Sequence, residues 1–213
     1  RSQASGQSRF DGAHRERLVT PSARESQSQH SDLLEGAGLL AYTFPDMATP
    51  ADGEFRSGIG FDSHPLADGR KLVLGGVDIP FDQGLSGHSD GDVLVHAVMD
   101  ALLGAANLGD KGLHFPSNDP EYKDISSLML LEQVGVLVSE AGWRLSNVDA
   151  TILAQNPRLS PFNAEMRVNV AKSLSVSQNR VSVKVTTTDY LGFVGREEGI
   201  AALVVVSLMS GGR

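Results

Sequence analysis

Residues 88–112 read HSDGDVLVHAVMDALLGAANLGDKG and carry the clearest helical pattern in the chain. Their apolar side chains recur at the i, i+3, i+4 and i+7 positions of one face, which predicts a helix over residues 89–107. The other face carries Ser89, Asp92, His96 and Asp100, where a solvated helix would usually carry Lys and Glu. Because short polar side chains hold a fixed geometry, the pattern favours a functional face over a merely solvated one.

The start of this predicted helix has the S-x-x-D spacing of a capping box, formed by Ser89 and Asp92. We therefore expect Ser89 to be the N-cap. Free N–H groups at a helix N-terminus attract anions, so a phosphate could bind beside His88 and Ser89. An ordinary cap with an exposed histidine is the alternative.

From residue 56 onward, strand and helix patterns alternate along the chain. The expected strands cover residues 56–64, 144–155, 180–187 and 200–208, a hairpin covers 71–81, and further helices cover 124–141 and 161–174. The hairpin turns at Gly75 and Gly76, and a helix is the alternative for residues 200–208. These elements predict one domain over residues 56–213, of the α+β class, with helices on one face of a mixed β-sheet.

The composition excludes several classes of site. The 213 residues hold no Cys, and 18 Lys and Arg against 26 Asp and Glu give a formal charge of −8. A disulfide framework, a thiolate metal site and a cysteine nucleophile are therefore excluded, and any metal must bind His, Asp or Glu. An acidic chain without a long apolar run predicts neither a nucleic-acid partner nor a membrane span.

Residues 1–55 differ in kind from the rest of the chain. Residues 1–30 are rich in Ser, Gln and Arg and lack periodicity, so we expect a disordered N-terminal extension of unknown role. A transit peptide is one alternative, but Asp11, Glu16 and Glu25 argue against it because such peptides are poor in acidic residues. An overlong gene model and the remnant of a fused domain also stay open. The expected location is a bacterial cytoplasm, or a plastid if the segment is a transit peptide.

A candidate metal site begins at Asp62 and His64, which share one face of a predicted strand because they are two residues apart. If His96 meets this pair, two imidazoles and one carboxylate leave a fourth position open, which fits Zn²⁺ as a Lewis acid. The same ligands would tolerate Mn²⁺ or Co²⁺. Asp92 and Asp100 could orient His96, or could simply cap and solvate the helix.

A third motif combines KVTTTD (184–189) with LGFVGR (191–196). The threonines offer hydroxyl and N–H groups, and Arg196 can bind phosphate oxygens with its planar fork, which together suit a diphosphate. A run of threonines is also simply a favourable strand sequence, so this motif alone has little specificity.

Six stretches in this order resemble the 2-C-methyl-D-erythritol 2,4-cyclodiphosphate synthase family of the non-mevalonate isoprenoid pathway. They are GIGFDSH (58–64), LVLGGVDIP (72–80), residues 88–112 quoted above, FPSNDP (115–120), NVDATILAQNPRL (147–159) and VKVTTTDYLGFVGREEGIA (183–201). The resemblance implies a nucleotide-linked substrate, 4-diphosphocytidyl-2-C-methyl-D-erythritol 2-phosphate, whose 2-phosphate attacks the β-phosphorus and expels CMP. It also implies a homotrimer with active sites between neighbouring subunits.

The resemblance further implies roles for individual residues. Asp62, His64 and His96 match the zinc ligands, His88 and Thr187 match catalytic positions, and Asp189 matches the position of a second divalent ion, Mg²⁺ or Mn²⁺, bound with substrate. The implied substrate contacts are Asp62, His64, His88, Ser89, Asp110, Gly112, Phe115, Pro116, Asp119, Ala154, Pro157, Arg158, Thr186, Thr187, Thr188, Asp189, Phe193 and Arg196. Residues 154–159 are expected near the cytosine ring.

Three positions depart from the common pattern of that family. Ser117 and Asp189 stand where Asp and Glu are usual, and Arg158 stands where Lys is usual. Arg196 and Glu198 could lie at a central channel of the trimer or form an ordinary interface ion pair. Two other functions stay open, a zinc phosphohydrolase and a non-catalytic protein that binds isoprenoid diphosphates. The presence of His64, His88 and His96 together favours the cyclising enzyme.

Overall fold

The computed structural model describes residues 49–211, which contain one five-stranded sheet in the order β4-β1-β7-β5-β6. The strands are β1 (Phe55–Asp68), β4 (Gln83–Leu85), β5 (Trp143–Leu153), β6 (Val181–Thr186) and β7 (Gly199–Ser210), and a separate hairpin joins β2 (Leu72–Leu74) to β3 (Val77–Ile79). Only the β5–β6 pair in this sheet is parallel. The predicted mixed sheet is therefore confirmed.

Three long helices cover one face of the sheet. They are α1 (Val93–Ala106), α3 (Ser127–Glu140) and α4 (Asn163–Ser173), and the short helices α2 (Lys111–His114) and α5 (Gly192–Gly195) lie in loops. The core lies between α1 and alternate residues of β5 and β7, such as Ile152 and Val204, which are fully buried. No helix within residues 49–211 is long and apolar enough to cross a membrane.

The contact between α1 and β1 depends on two glycines. A Cβ atom at Gly58 or Gly60 would overlap the carbonyl oxygens of Ala101 and Ala97 on α1. The helix backbone therefore lies directly on the strand that carries Asp62 and His64, with no side chain between them.

We expect Gly60→Ala to lower the free energy of unfolding by about 1–3 kcal/mol, because the new methyl group must push α1 away from β1. Chemical denaturation measures this change. Gly104→Ala is the matched control, since a Cβ at Gly104 of α1 would have no neighbour within 4 Å. That exposed helical substitution should stabilise the protein by about 0.5–1 kcal/mol. Equal stability of both variants would contradict the close contact.

The other face of the sheet carries large apolar side chains that residues 49–211 leave exposed. Ile59 pairs with Val205, and Phe61 pairs with Leu203, across β1 and β7. Ile59 is 68% exposed, Phe55 61% and Phe61 56%. Outward-facing residues of β1 and β7 thus form an apolar surface, consisting of Phe55, Ile59, Phe61, Leu203, Val205 and Met209.

Two sequence-based expectations about local structure are wrong. The N-cap of α1 is Asp92, whose side chain accepts a hydrogen bond from Val95 N at 3.1 Å, and not Ser89. Ser89 lies before the helix because Gly91 takes a positive φ of 76° and turns the chain there. The helix alternative for residues 200–208 is also wrong, since β7 covers them. The extension expected over residues 1–55 lies, for residues 1–48, outside the described part of the chain.

Candidate active site

Asp62 and His64 of β1 meet His96 of α1 in one cluster, as predicted. His96 Nδ1 lies 2.9 Å from Asp62 Oδ2, and His64 Nε2 lies 3.0 Å from the same oxygen. The two imidazole nitrogens are 3.3 Å apart. One carboxylate oxygen and two ring nitrogens thus converge on one point, and these three residues could hold a metal ion.

The electrostatics of the cluster favour an ionised carboxylate. Burial would raise the pKa of Asp62, but hydrogen bonds from His64 and His96 and the charge of Lys111 outweigh burial and hold that pKa far below its ordinary range. The hydrogen bond to Asp62 raises the pKa of His64 above its ordinary value, although burial opposes the shift. A metal ion would therefore displace a proton from His64 on binding.

The affinity of this cluster for Zn²⁺ should consequently depend on pH. Above the raised pKa of His64 the affinity should be constant, because the ring is already neutral. Below it, the affinity should fall by about tenfold per pH unit, since each bound ion releases one proton. Competition with a chromophoric chelator over a pH series measures this slope. A pH-independent affinity through the same range would mean that His64 is not a ligand.

A cavity of about 680 Å³ opens above the cluster. Its wall includes His88, Ser89, Asp110 and Gly112, together with Phe115 and Pro116 from the predicted substrate set. His88 Nε2 donates to the carbonyl oxygen of Asp119 at 2.8 Å, which ties the helix-start loop to residues 115–119. The volume suits a ligand the size of a nucleotide-linked sugar phosphate or smaller.

The remaining predicted substrate contacts, other than Asp119, lie outside this cavity at the ends of β5 and β6 and in the loops that follow, and we call them the second cluster. Ala154 N donates to Thr186 O at 3.0 Å, and Thr188 Oγ1 donates to Leu191 O at 2.7 Å. Arg196 binds both oxygens of Glu198 at 2.9 Å each. The members that do not line the metal cavity are Ala154, Pro157, Arg158, Thr186, Thr187, Thr188, Asp189, Phe193 and Arg196.

Comparison with known protein families identifies the family to which this chain is similar. A sequence model described as the YgbB family matches residues 55–209. The chain belongs to the YgbB family.

Named relatives of this YgbB-family chain share one description. The protein named 2-C-methyl-D-erythritol 2,4-cyclodiphosphate synthase of Syntrophomonas wolfei subsp. wolfei is 58% identical over 151 residues, which cover 71% of this chain and 96% of that protein. The bifunctional IspDF structure from Campylobacter jejuni superposes with a TM-score of 0.72 at 45% identity, covering 76% of this chain and 44% of that one. The structure of the CDP complex of IspF from Plasmodium falciparum superposes with a TM-score of 0.66 at 28% identity, covering 76% of this chain and 100% of that one.

Two side chains at the metal cluster of this YgbB-family chain were not predicted from its sequence. Ser127, the first residue of α3, lies 2.9 Å from His96 Nε2. Lys111 Nζ lies 3.2 Å from Asp62 Oδ1 and 3.0 Å from Asp100 Oδ2. No local signal marked either residue, because both contacts join segments that are far apart in sequence.

The hypothesis that Asp92 and Asp100 orient His96 is wrong. Asp92 is fully buried and caps α1, while its second oxygen accepts a hydrogen bond from Gly76 N at 2.8 Å. The capping alternative for Asp92 is thereby confirmed. Asp100 accepts hydrogen bonds from the N–H and the Nζ of Lys111. The two acidic residues instead tie α1 to the β2–β3 hairpin and to α2.

Proposed function

We propose that this chain is a 2-C-methyl-D-erythritol 2,4-cyclodiphosphate synthase. It converts 4-diphosphocytidyl-2-C-methyl-D-erythritol 2-phosphate into 2-C-methyl-D-erythritol 2,4-cyclodiphosphate and releases CMP. The observation that carries the proposal is the convergence of Asp62, His64 and His96 beneath a cavity lined by His88 and Ser89, in a chain 58% identical to a relative of that name. The bacterial relative also fits the expected cytoplasmic location in a bacterium.

The donor set of the cluster fits one divalent metal ion per subunit. A carboxylate oxygen and two neutral imidazoles suit Zn²⁺, and Mn²⁺ or Co²⁺ would accept the same ligands. When bound, such an ion supplies Lewis-acid polarisation of a phosphate oxygen. Asp62, His64 and His96 would hold it, and Asp189 would help to hold a second ion, Mg²⁺ or Mn²⁺, that arrives with the substrate.

The reaction is a task of positioning and charge neutralisation. An oxygen of the 2-phosphate forms a bond to the β-phosphorus, the bond from that phosphorus to the oxygen bridging to the α-phosphorus breaks, and CMP leaves with that oxygen. His88 is already held at the cavity wall by its hydrogen bond to Asp119 O, so it can donate toward the phosphates without reorganising. Thr187, in the second cluster, would also donate a hydrogen bond to the phosphates.

The substrate would span both clusters of residues. Ser89, Asp110, Gly112, Phe115, Pro116 and Asp119 would contact its sugar and phosphates in the metal cavity. The second cluster, with Phe193 and Arg196, would hold the diphosphate, while Ala154, Pro157 and Arg158 would lie near the cytosine. Arg196 must then exchange its exposed ion pair with Glu198 for phosphate oxygens, which costs little because exposed ion pairs are weak.

We also propose a homotrimer with active sites between neighbouring subunits. The apolar surface of β1 and β7 supports it, because a contiguous apolar sheet face is usually covered by another chain. The strand order provides a second argument, since β1 and β6 are separated by three strand spacings, roughly 14 Å. Within one chain the Thr186–Thr188 segment therefore lies away from the metal cluster, which supports a site to which a neighbouring subunit contributes this segment.

Phosphorus NMR of the protein with the cytidyl substrate, Zn²⁺ and Mg²⁺ tests the proposed function. CMP and a cyclic diphosphate should appear together, and His64→Ala should produce neither. Release of inorganic phosphate would instead identify a zinc phosphohydrolase. Substrate that binds but stays intact would identify a non-catalytic binding protein, and the departures at Ser117, Arg158 and Asp189 would then be examined first.

A further inference from the structure

The two histidines of the metal cluster are held by partners of different chemistry. His64 Nδ1 is hydrogen-bonded to the carbonyl oxygen of Ser86. Because a carbonyl only accepts, His64 must carry a proton on Nδ1, so Nε2 is the nitrogen that faces the cluster. His96 Nε2 instead contacts two hydroxyls, Ser127 Oγ at 2.9 Å and Ser89 Oγ at 3.1 Å. A hydroxyl can donate or accept, so it does not fix the proton of His96 by itself.

Asp90 determines which way the hydroxyl group of Ser127 points. One of its carboxylate oxygens accepts the hydrogen bond of Ser127 Oγ, and the other accepts from Ser127 N at 2.9 Å. Since the carboxylate only accepts, the hydroxyl proton of Ser127 points to Asp90 and its lone pairs point to His96. Of the two ring nitrogens of His96, Nε2 therefore faces the lone pairs of Ser127, and Nδ1 faces the cluster, 2.9 Å from Asp62 Oδ2. A metal ion bound at Nδ1 would take up the lone pair of that nitrogen, so the ring proton would then lie on Nε2 and be donated to Ser127 Oγ.

The surroundings keep this chain of hydrogen bonds in one arrangement. Ser127 is completely buried, and Ser89 and His96 are nearly so, with 7% and 6% of their surface exposed. Water therefore cannot easily replace the hydroxyl. Asp90 is held in addition by Asp92 N at 3.2 Å, and its negative charge lies at the N-terminus of the 14-residue helix α3, which favours it.

We propose that Ser127 and Asp90 are positioning residues: Ser127 Oγ, oriented by Asp90, accepts a hydrogen bond from His96 Nε2 and leaves Nδ1 as the metal-binding atom of that ring. The proposal rests on the metal site of the proposed function. In the bound state, the Asp90–Ser127–His96 chain would fix the ring orientation and raise the basicity of the ligand.

The test compares Ser127→Ala with Ser126→Ala. Ser126 is the matched control because it is exposed, one residue earlier, and makes no side-chain capping bond. Long-range ¹H–¹⁵N correlation spectra of the Zn²⁺-loaded protein report which nitrogen of His96 carries the proton and which one binds the ion. Wild type and Ser126→Ala should show it on Nε2. Ser127→Ala should show a mixture, and its Zn²⁺ affinity should fall by about 10- to 100-fold.

Asp90→Asn gives a second test that retains the hydroxyl. The new amide N–H₂ can donate to Ser127 Oγ, which then donates to His96 Nε2 and moves the proton to Nδ1. We expect a loss of Zn²⁺ affinity at least as large as in Ser127→Ala. Thermal unfolding of each metal-free variant identifies any that fails to fold, and the remaining variant then decides the question.

The proposal is overturned if Zn²⁺-loaded wild type carries the His96 proton on Nδ1, or if folded Ser127→Ala or Asp90→Asn binds Zn²⁺ like wild type. A wild-type protein that binds no Zn²⁺ would overturn both this proposal and the proposed metal site. Wild type with the expected tautomer and Zn²⁺ affinity, but without CMP release from the cytidyl substrate, would refute only the proposed function.

Discussion

His96→Ala should leave the fold intact, remove bound zinc and lower the rate of CMP release by on the order of a thousandfold. Only Asp62 and His64 would remain as ligands, and two ligands from one strand hold an ion weakly. The bound ion is expected to contribute several kcal/mol of transition-state stabilisation, which corresponds to the stated loss. Elemental analysis of the purified variant and a CMP assay measure the two effects.

His114→Ala is the matched control for this experiment. His114 lies outside the metal cluster, and its Nε2 donates to Leu108 O at 2.7 Å. The control should keep its zinc at wild-type occupancy. Full zinc occupancy in His96→Ala would contradict the proposed ligand set, whatever its activity.

Mixing two inactive variants should restore activity if the active site lies between subunits. His96→Ala damages the metal cluster, and Thr187→Ala damages the second cluster. In trimers reassembled from equal amounts of both, a site is intact when one neighbour supplies His96 and the other supplies Thr187. Random assembly satisfies both conditions in about a quarter of the sites, so about a quarter of wild-type activity should return.

The control for this mixing experiment uses His96→Ala with His64→Ala, which damage the same cluster. No combination of these subunits builds an intact cluster, so no activity should return. Failure of the first mixture to exceed this control, when mass measurement shows mixed trimers, would place the whole site within one subunit.

Much of the fold was predictable because its elements have strong periodic patterns. Alternating apolar residues marked β5 and β6, β-branched residues marked β7, and a pair of glycines marked the turn between β2 and β3. The N-cap of α1 was not predictable in this way, since Ser89 and Asp92 are both good capping residues. Tertiary contacts decide between them: Ser89 Oγ lies beside His96 Nε2, and Asp92 receives Gly76 N as well as Val95 N.

The metal cluster was predictable because its ligands stand out by type, as short polar residues on a strand and on one helix face. Its supporting residues were not, because Ser127 meets His96 across 31 residues and Lys111 meets Asp62 across 49. A serine at the start of a helix looks like an ordinary cap in sequence. The separation of the Thr186–Thr188 segment from the metal cluster follows from the strand order, which sequence patterns alone do not specify.

The side-chain-free contact between α1 and β1 has a consequence for engineering this protein. Two of the three side chains that could hold a metal ion belong to the strand and the third belongs to the helix, so the distance between the two backbones sets the spacing of the three ligand atoms. We therefore expect the separation of α1 and β1 at Gly58 and Gly60 to influence which ionic radius the cluster accepts. A library restricted to these two glycines and their alanine neighbours on the helix would retune metal preference while every ligand stays native.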